Sequence, residues 1–172
     1  MIKLYRCIIC GDGYVGVSPP SNCPFCGAHT DFIPEARDAV VSFDVSLSVR
    51  DKANVKHALQ VEISNSTFYR CAADQTNDAE GKILFKALGK IEAEHASLWR
   101  KILKLDALPA GNETCHSENV ENLKESHERE ARAIAFYRKS ATESNHPRIK
   151  QLFEALVEIE TDHLQLSEER LK

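Results

Sequence analysis

From about residue 51 onward, apolar residues recur near every 3.6 positions, the period of helices that bury one face. The pattern predicts helices at about 51–76, 80–105, 117–144 and 147–170. Thr76-Asn77-Asp78 separates the first two, and Asn77 with Glu80 has the spacing of a capping box. Ser144-Asn145-His146-Pro147 separates the last two, with Pro147 suited to a first helical turn. A longer polar stretch, Pro109 to His116, joins the middle pair and is long enough to form part of a crossover. Two tight connections and one long one predict a mainly α chain folded as a four-helix bundle.

Residues 1–34 lack this period. They hold four of the seven glycines, four of the six prolines and two Cys-x-x-Cys pairs, Cys7/Cys10 and Cys23/Cys26. So short a segment buries too little surface to fold alone, so a bound metal has to replace its core. The expected organisation is a four-cysteine metal domain at 1–34, a linker at 35–50 and a helical bundle at 51–172.

The whole chain of 172 residues is 42% hydrophobic and 28% charged, enough for a packed core and against wholesale disorder. A net charge of −4 argues against a general nucleic-acid binder. No apolar run approaches the roughly 18 residues that span a bilayer, and Met1–Arg6 is too short and mixed for a secretory signal. The expectation is a cytoplasmic protein with no membrane and no nucleic-acid partner, in which paired cysteines bind metal rather than form disulfides. Cys71 reads as a buried thiol in the first helix. Cys115-His116 has nothing nearby to complete a site and reads as structural, and Trp99 reads as packing.

The bundle sequence repeats itself at an offset of 68 residues. Glu62 and Tyr69 in the first helix correspond to Glu130 and Tyr137 in the third. Glu92-x-x-His95 in the second corresponds to Glu160-x-x-His163 in the fourth. Residues three apart share a helix face, so each Glu and His can point inward among apolar neighbours such as Leu88, Leu98, Phe153 and Leu156. Carboxylates on such faces are costly unless neutralised, and two divalent cations would neutralise them. One Glu from each of two helices plus Glu-x-x-His from the other two is the ligand set of di-iron carboxylate bundles. Mixed oxygen and imidazole donors suit iron or manganese, with zinc a possible substitute.

These residues resemble the ferritin-like superfamily and, within it, the rubrerythrins. The knuckle Cys7-Ile8-Ile9-Cys10 followed by Cys23-Pro24-Phe25-Cys26-Gly27 resembles their short rubredoxin-like domain, here placed first as in reverse rubrerythrins. Taken alone, the knuckle suits iron or a structural zinc equally. Gly11 and Gly27, each just after a cysteine pair, free the backbone to turn and offer N–H groups to sulfur. The resemblance implies that Glu92 and Glu160 bridge two irons, that Glu62 and Glu130 are terminal ligands, and that His95 and His163 cap one iron each. It also implies that Tyr69 and Tyr137 bond to ligand carboxylates. His127, one turn before Glu130, is a further candidate for a supporting contact. One departure stands out: Ala133 occupies the position of an extra family glutamate on the third helix that takes part in a redox-linked iron shift.

The activity so implied is reduction of hydrogen peroxide to water, with electrons relayed through the four-cysteine iron from a rubredoxin or an NAD(P)H-dependent reductase. The family's habit of pairing implies a homodimer or higher homo-oligomer. Two rivals remain open: a ferroxidase or oxygen-reducing protein of ferritin type, and a non-enzymatic metal-binding protein with zinc in the knuckle.

Overall fold

A computed structural model describes residues 1–172. Four long helices follow a small β-hairpin: β1 (Lys3–Arg6), β2 (Gly13–Gly16), α1 (Val49–Gln75), α2 (Ala79–Leu103), α3 (Asn119–Glu143) and α4 (Pro147–Leu171), with a short 3-10 turn at Thr30–Phe32. The helix limits fall within a few residues of those the apolar period predicts. No helix is long and apolar enough to cross a membrane.

Local chemistry fixes the helix starts. Ser48 caps α1 by accepting from the Asp51 N–H at 3.0 Å. At α2 the cap is Asp78, whose side chain accepts from the Gly81 N–H at 2.6 Å. The Asn77–Glu80 box is therefore displaced by one residue, because a carboxylate accepts more strongly than an amide at the positive end of the helix. Pro147 opens α4 as expected, behind a cap at His146.

Helices α1 and α2 form one hairpin, α3 and α4 the other, and α1 lies beside α3. Trp99 and Phe153 meet at 4.8 Å between ring centroids in the core, which continues without a break into the N-terminal knuckle through Ile9, Cys26, Ala28 and Ile33. The connector at 35–50 crosses the bundle as an extended strap. Val41, Phe43, Val45 and Leu47 are half-buried, while Ser42, Asp44 and Ser46 between them are exposed.

In the hairpin β1 and β2 are antiparallel, with Leu4 opposite Val15 and Tyr5 opposite Tyr14. The knuckle is fastened to its own chain's bundle. Lys101 of α2 donates to the Cys10 carbonyl at 3.2 Å, and His29 contacts Asp162 of α4 at 2.8 Å. Gly27 has φ +79, and a Cβ there would meet Ile159 Cγ2 of α4 at 3.0 Å. Only glycine provides both that backbone angle and that approach.

Cys71 and Cys115 correct the sequence reading: they are joined as a disulfide, with Cα atoms 5.8 Å apart. The α2–α3 crossover is laid along α1, where Glu113 accepts from Ser64 Oγ at 2.6 Å and pairs with Arg129 at 2.9 Å. This brings Cys115 beside a half-buried Cys71 across a sequence separation of 44. Distance along the chain concealed the pairing.

Candidate metal centres

Glu62 on α1, Glu92 and His95 on α2, Glu130 on α3, and Glu160 and His163 on α4 converge inside the bundle, all buried. Glu62, Glu92, His95 and Glu160 each offer one ligand atom within a 4.8 Å group; Glu92, Glu130, Glu160 and His163 form a second. Glu92 and Glu160 belong to both groups. Glu62 with His95 lies on one side, and Glu130 with His163 on the other.

The contacts inside this space suit a cation. His163 Nδ1 lies 2.8 Å from Glu160 and 3.0 Å from Glu92, and His95 Nδ1 lies 3.3 Å from Glu160 and 3.4 Å from Glu92. None has hydrogen-bond geometry: eight oxygen and nitrogen atoms of these six residues are buried without a partner. Each such atom costs about 1–3 kcal/mol when left unsatisfied. Lone pairs aimed at common points, from carboxylates and imidazoles together, fit two divalent ions of the iron or manganese type.

The protonation pattern gives the same answer. Burial, strengthened by neighbouring carboxylates, raises Glu62 and Glu130 well above the usual carboxyl range. Burial also acts to raise Glu92 and Glu160, but the histidines beside them outweigh it and hold both below their ordinary value. Burial acts to lower His95 and His163, yet the surrounding carboxylates prevail and raise both. A metal-free pocket therefore takes up protons where cations would otherwise sit, so metal loading and proton release are linked.

Contacts around the six residues hold them in place. The Tyr137 hydroxyl donates to Glu62 Oε1, and the Tyr69 hydroxyl donates to Glu130 Oε1. Each tyrosine serves the other helix's glutamate, as antiparallel α1 and α3 require. Burial raises both phenols, which keeps them protonated as donors. Tyr69 also meets Ser126 Oγ at 2.9 Å. Ser126, one turn before Glu130, went unnoticed in the sequence, where its neighbour His127 drew attention. His127 is half-buried and belongs to neither group.

His95 Nε2 is 2.8 Å from the backbone carbonyl of Cys26. A carbonyl only accepts, so Nε2 carries a proton and Nδ1 is the nitrogen that faces the glutamates, where a metal would take the place of its proton. Nothing in the sequence announced this contact, because its acceptor is a backbone atom 69 residues away.

In the knuckle, Cys7, Cys10, Cys23 and Cys26 are buried and free of disulfides. Their sulfurs approach to 3.7 Å (Cys7 to Cys26) and 3.8 Å (Cys10 to Cys23), an array for one tetrahedral ion. Gly11, at φ +92, and Gly27 close their turns by donating to the Cys7 and Cys23 carbonyls, both at 2.9 Å. The N–H aimed at sulfur is that of Asp12, 3.5 Å from Cys10 Sγ, so the glycines shape the turn without making that contact.

A family model described as Rubrerythrin matches residues 53–171, well over half of the chain. No curated protein and no solved structure matches the chain.

Proposed function

The chain belongs to the rubrerythrin family, and from that premise we propose that it is a non-haem di-iron oxidoreductase that reduces hydrogen peroxide to water. Iron bound in the knuckle and in the bundle supplies the redox chemistry, one electron at a time from the four-cysteine site and two together from the bundle pair. The observation that carries this reading is the His95–Cys26 hydrogen bond. It joins an imidazole of the bundle cluster directly to the backbone of a thiolate of the knuckle, within one chain. A merely structural knuckle has no need of that contact.

The protein groups have definable tasks. Glu92 and Glu160, shared by both clusters, accommodate the change in charge between redox states. Tyr69 and Tyr137 pin the outer carboxylates and hold their own protons. Burial of the six residues keeps bulk water from the reacting space. The four thiols offer no open position for a substrate, so electrons from a rubredoxin or an NAD(P)H-dependent reductase enter there. Assembly as a homodimer belongs to the same reading.

Ala133 favours a second reading. It is buried on α3 where the family carries a carboxylate, and its repeat mate Asn65 is neutral. With no acidic side chain to receive a displaced iron, selection of peroxide over oxygen weakens, toward ferroxidase or oxidase chemistry. Stopped-flow oxidation of the reduced protein by each oxidant at equal concentration separates the two. Peroxide is expected to be faster, and Ala133→Glu to widen the margin. Faster oxidation by oxygen would hand the lead to the second reading, and a colourless, zinc-loaded knuckle would remove the relay.

A further inference from the structure

A cavity of about 280 Å³ opens over the seam between α1 and α3, walled by His57, Val61 and Phe136 and rimmed by Arg129 and Arg132. Its inner polar residue is Asn65, which is 3% exposed. Arg129 Nη1 lies 3.4 Å from Asn65 Oδ1. A guanidinium has donors and no acceptor, so this contact fixes which end of the amide faces it. The Asn65 Nδ2 group is thereby turned away from Arg129, where it is buried and without a partner.

The orientation is rigidly supported. Arg129 pairs with Glu113 at 2.9 Å and Glu125 at 2.8 Å, donates to Ser64 Oγ at 2.9 Å, and stands 4.4 Å over the Phe68 ring. Asn65 follows Glu62 by three residues, so both lie on one face of α1. Small Ala133 stands nearby on α3, since the crossed Tyr69–Glu130 and Tyr137–Glu62 contacts set the two helices antiparallel about this point. A buried amide with two unused donors, on the helix face of Glu62 and one turn from it, calls for a ligand.

We propose that Asn65 donates a hydrogen bond to the small oxidant bound between the two glutamate–histidine clusters, and that Arg129 is the positioning residue that aims it. The inference rests on the reading of those clusters as a metal pair. It assigns to a neutral donor on α1 part of what the missing carboxylate at Ala133 would otherwise do on α3. A donor stabilises a bound peroxide without offering the metals a new anionic ligand.

The test uses the full-length, iron-loaded, oxidised protein titrated with azide, a small hydrogen-bond acceptor, and followed by visible absorption. Asn65→Ala is expected to bind azide about tenfold more weakly, or about 1.4 kcal/mol, while keeping its bundle metals. Arg129→Met leaves the amide in place but free to turn, and is expected to lose about threefold. Unchanged affinity in Asn65→Ala means that buried water satisfies the amide and overturns the assignment. Unchanged affinity in Arg129→Met overturns the positioning. Azide affinity does not depend on which oxidant is physiological. Faster oxidation by oxygen would thus sink the peroxidase reading and leave the donor intact, whereas rapid peroxide reduction with unaltered azide binding in Asn65→Ala would do the reverse.

Discussion

Removing the Cys71–Cys115 disulfide by a Cys71→Ala/Cys115→Ala double substitution should weaken the fold by an amount set by the loop it closes. With a sequence separation of 44, the chain-entropy relation gives about 4 kcal/mol at 25 °C, within the roughly 2–5 kcal/mol typical of native bridges. The contacts of Glu113 with Ser64 and Arg129 remain in the variant, so the native crossover stays in place and the loss is carried by the freed unfolded chain. For a chain of this size each kcal/mol moves Tm by about 2–4 °C, so a fall of about 8–16 °C is expected. Thermal unfolding of the metal-loaded protein, followed by circular dichroism without reductant, measures it. Thiol titration of the denatured, metal-free protein should find four free thiols before reduction and six after. Six thiols without reduction, or a Tm within about 3 °C of the parent, would refute the argument.

Glu160→Gln should lose the bundle metals and keep the knuckle colour, because Glu160 belongs to both clusters and none of the cysteines; metal analysis with an optical spectrum checks this. Metal-free protein should lose stability as pH rises above about 4.5. Unfolded chains release carboxyl protons there while buried Glu62 and Glu130 keep theirs, and above 6.5 His95 and His163 extend the decline. Glu92 and Glu160, held low, give stability already present above 4.5 and add no slope in that window. Urea unfolding between pH 5 and 8 reads the sign, and metal-loaded protein should not follow it. Gly27→Ala should lower stability by at least about 1–2 kcal/mol through its left-handed φ alone. By pushing Ile159 it should also slow the proposed electron passage from knuckle to bundle in single-turnover mixing; an unchanged rate would refute a path through that docking.

What could be read in advance was whatever has a period or a spacing. The helices came from a 3.6-residue pattern, the six inward residues from a 68-residue repeat, and the knuckle from its paired cysteines. What could not be read depends on tertiary approach. The disulfide needs the crossover to lie along α1, and Ser126 matters only because Tyr69 reaches it from another helix. The cap at Asp78 was missed for a smaller reason, a choice between adjacent residues that both favour the position. The 68-residue repeat marks Asn65 only as the mate of Ala133; its significance lies in a guanidinium 64 residues away that decides which way its amide points.

The places where the repeat fails are where the two halves acquire different work. Ligand residues match pair for pair, so the sequence alone describes two equivalent half-sites. Their surroundings do not match. His95 is tied to the Cys26 carbonyl, whereas its mate His163 remains slightly exposed and makes no hydrogen bond to the knuckle. Ser126, beside Glu130, corresponds to Ala58 on the Glu62 side, and Asn65 corresponds to Ala133. A duplicated hairpin with one ligand set thus acquires two unlike sides through these differences. In the proposed relay, electrons reach the pair from the side where the knuckle docks at His95, and Asn65 lines the cavity over the seam between α1 and α3. Exchanging residues between the halves should therefore be tolerated at ligand positions, which are already identical, and not at 65/133 or around His95, where the asymmetry resides.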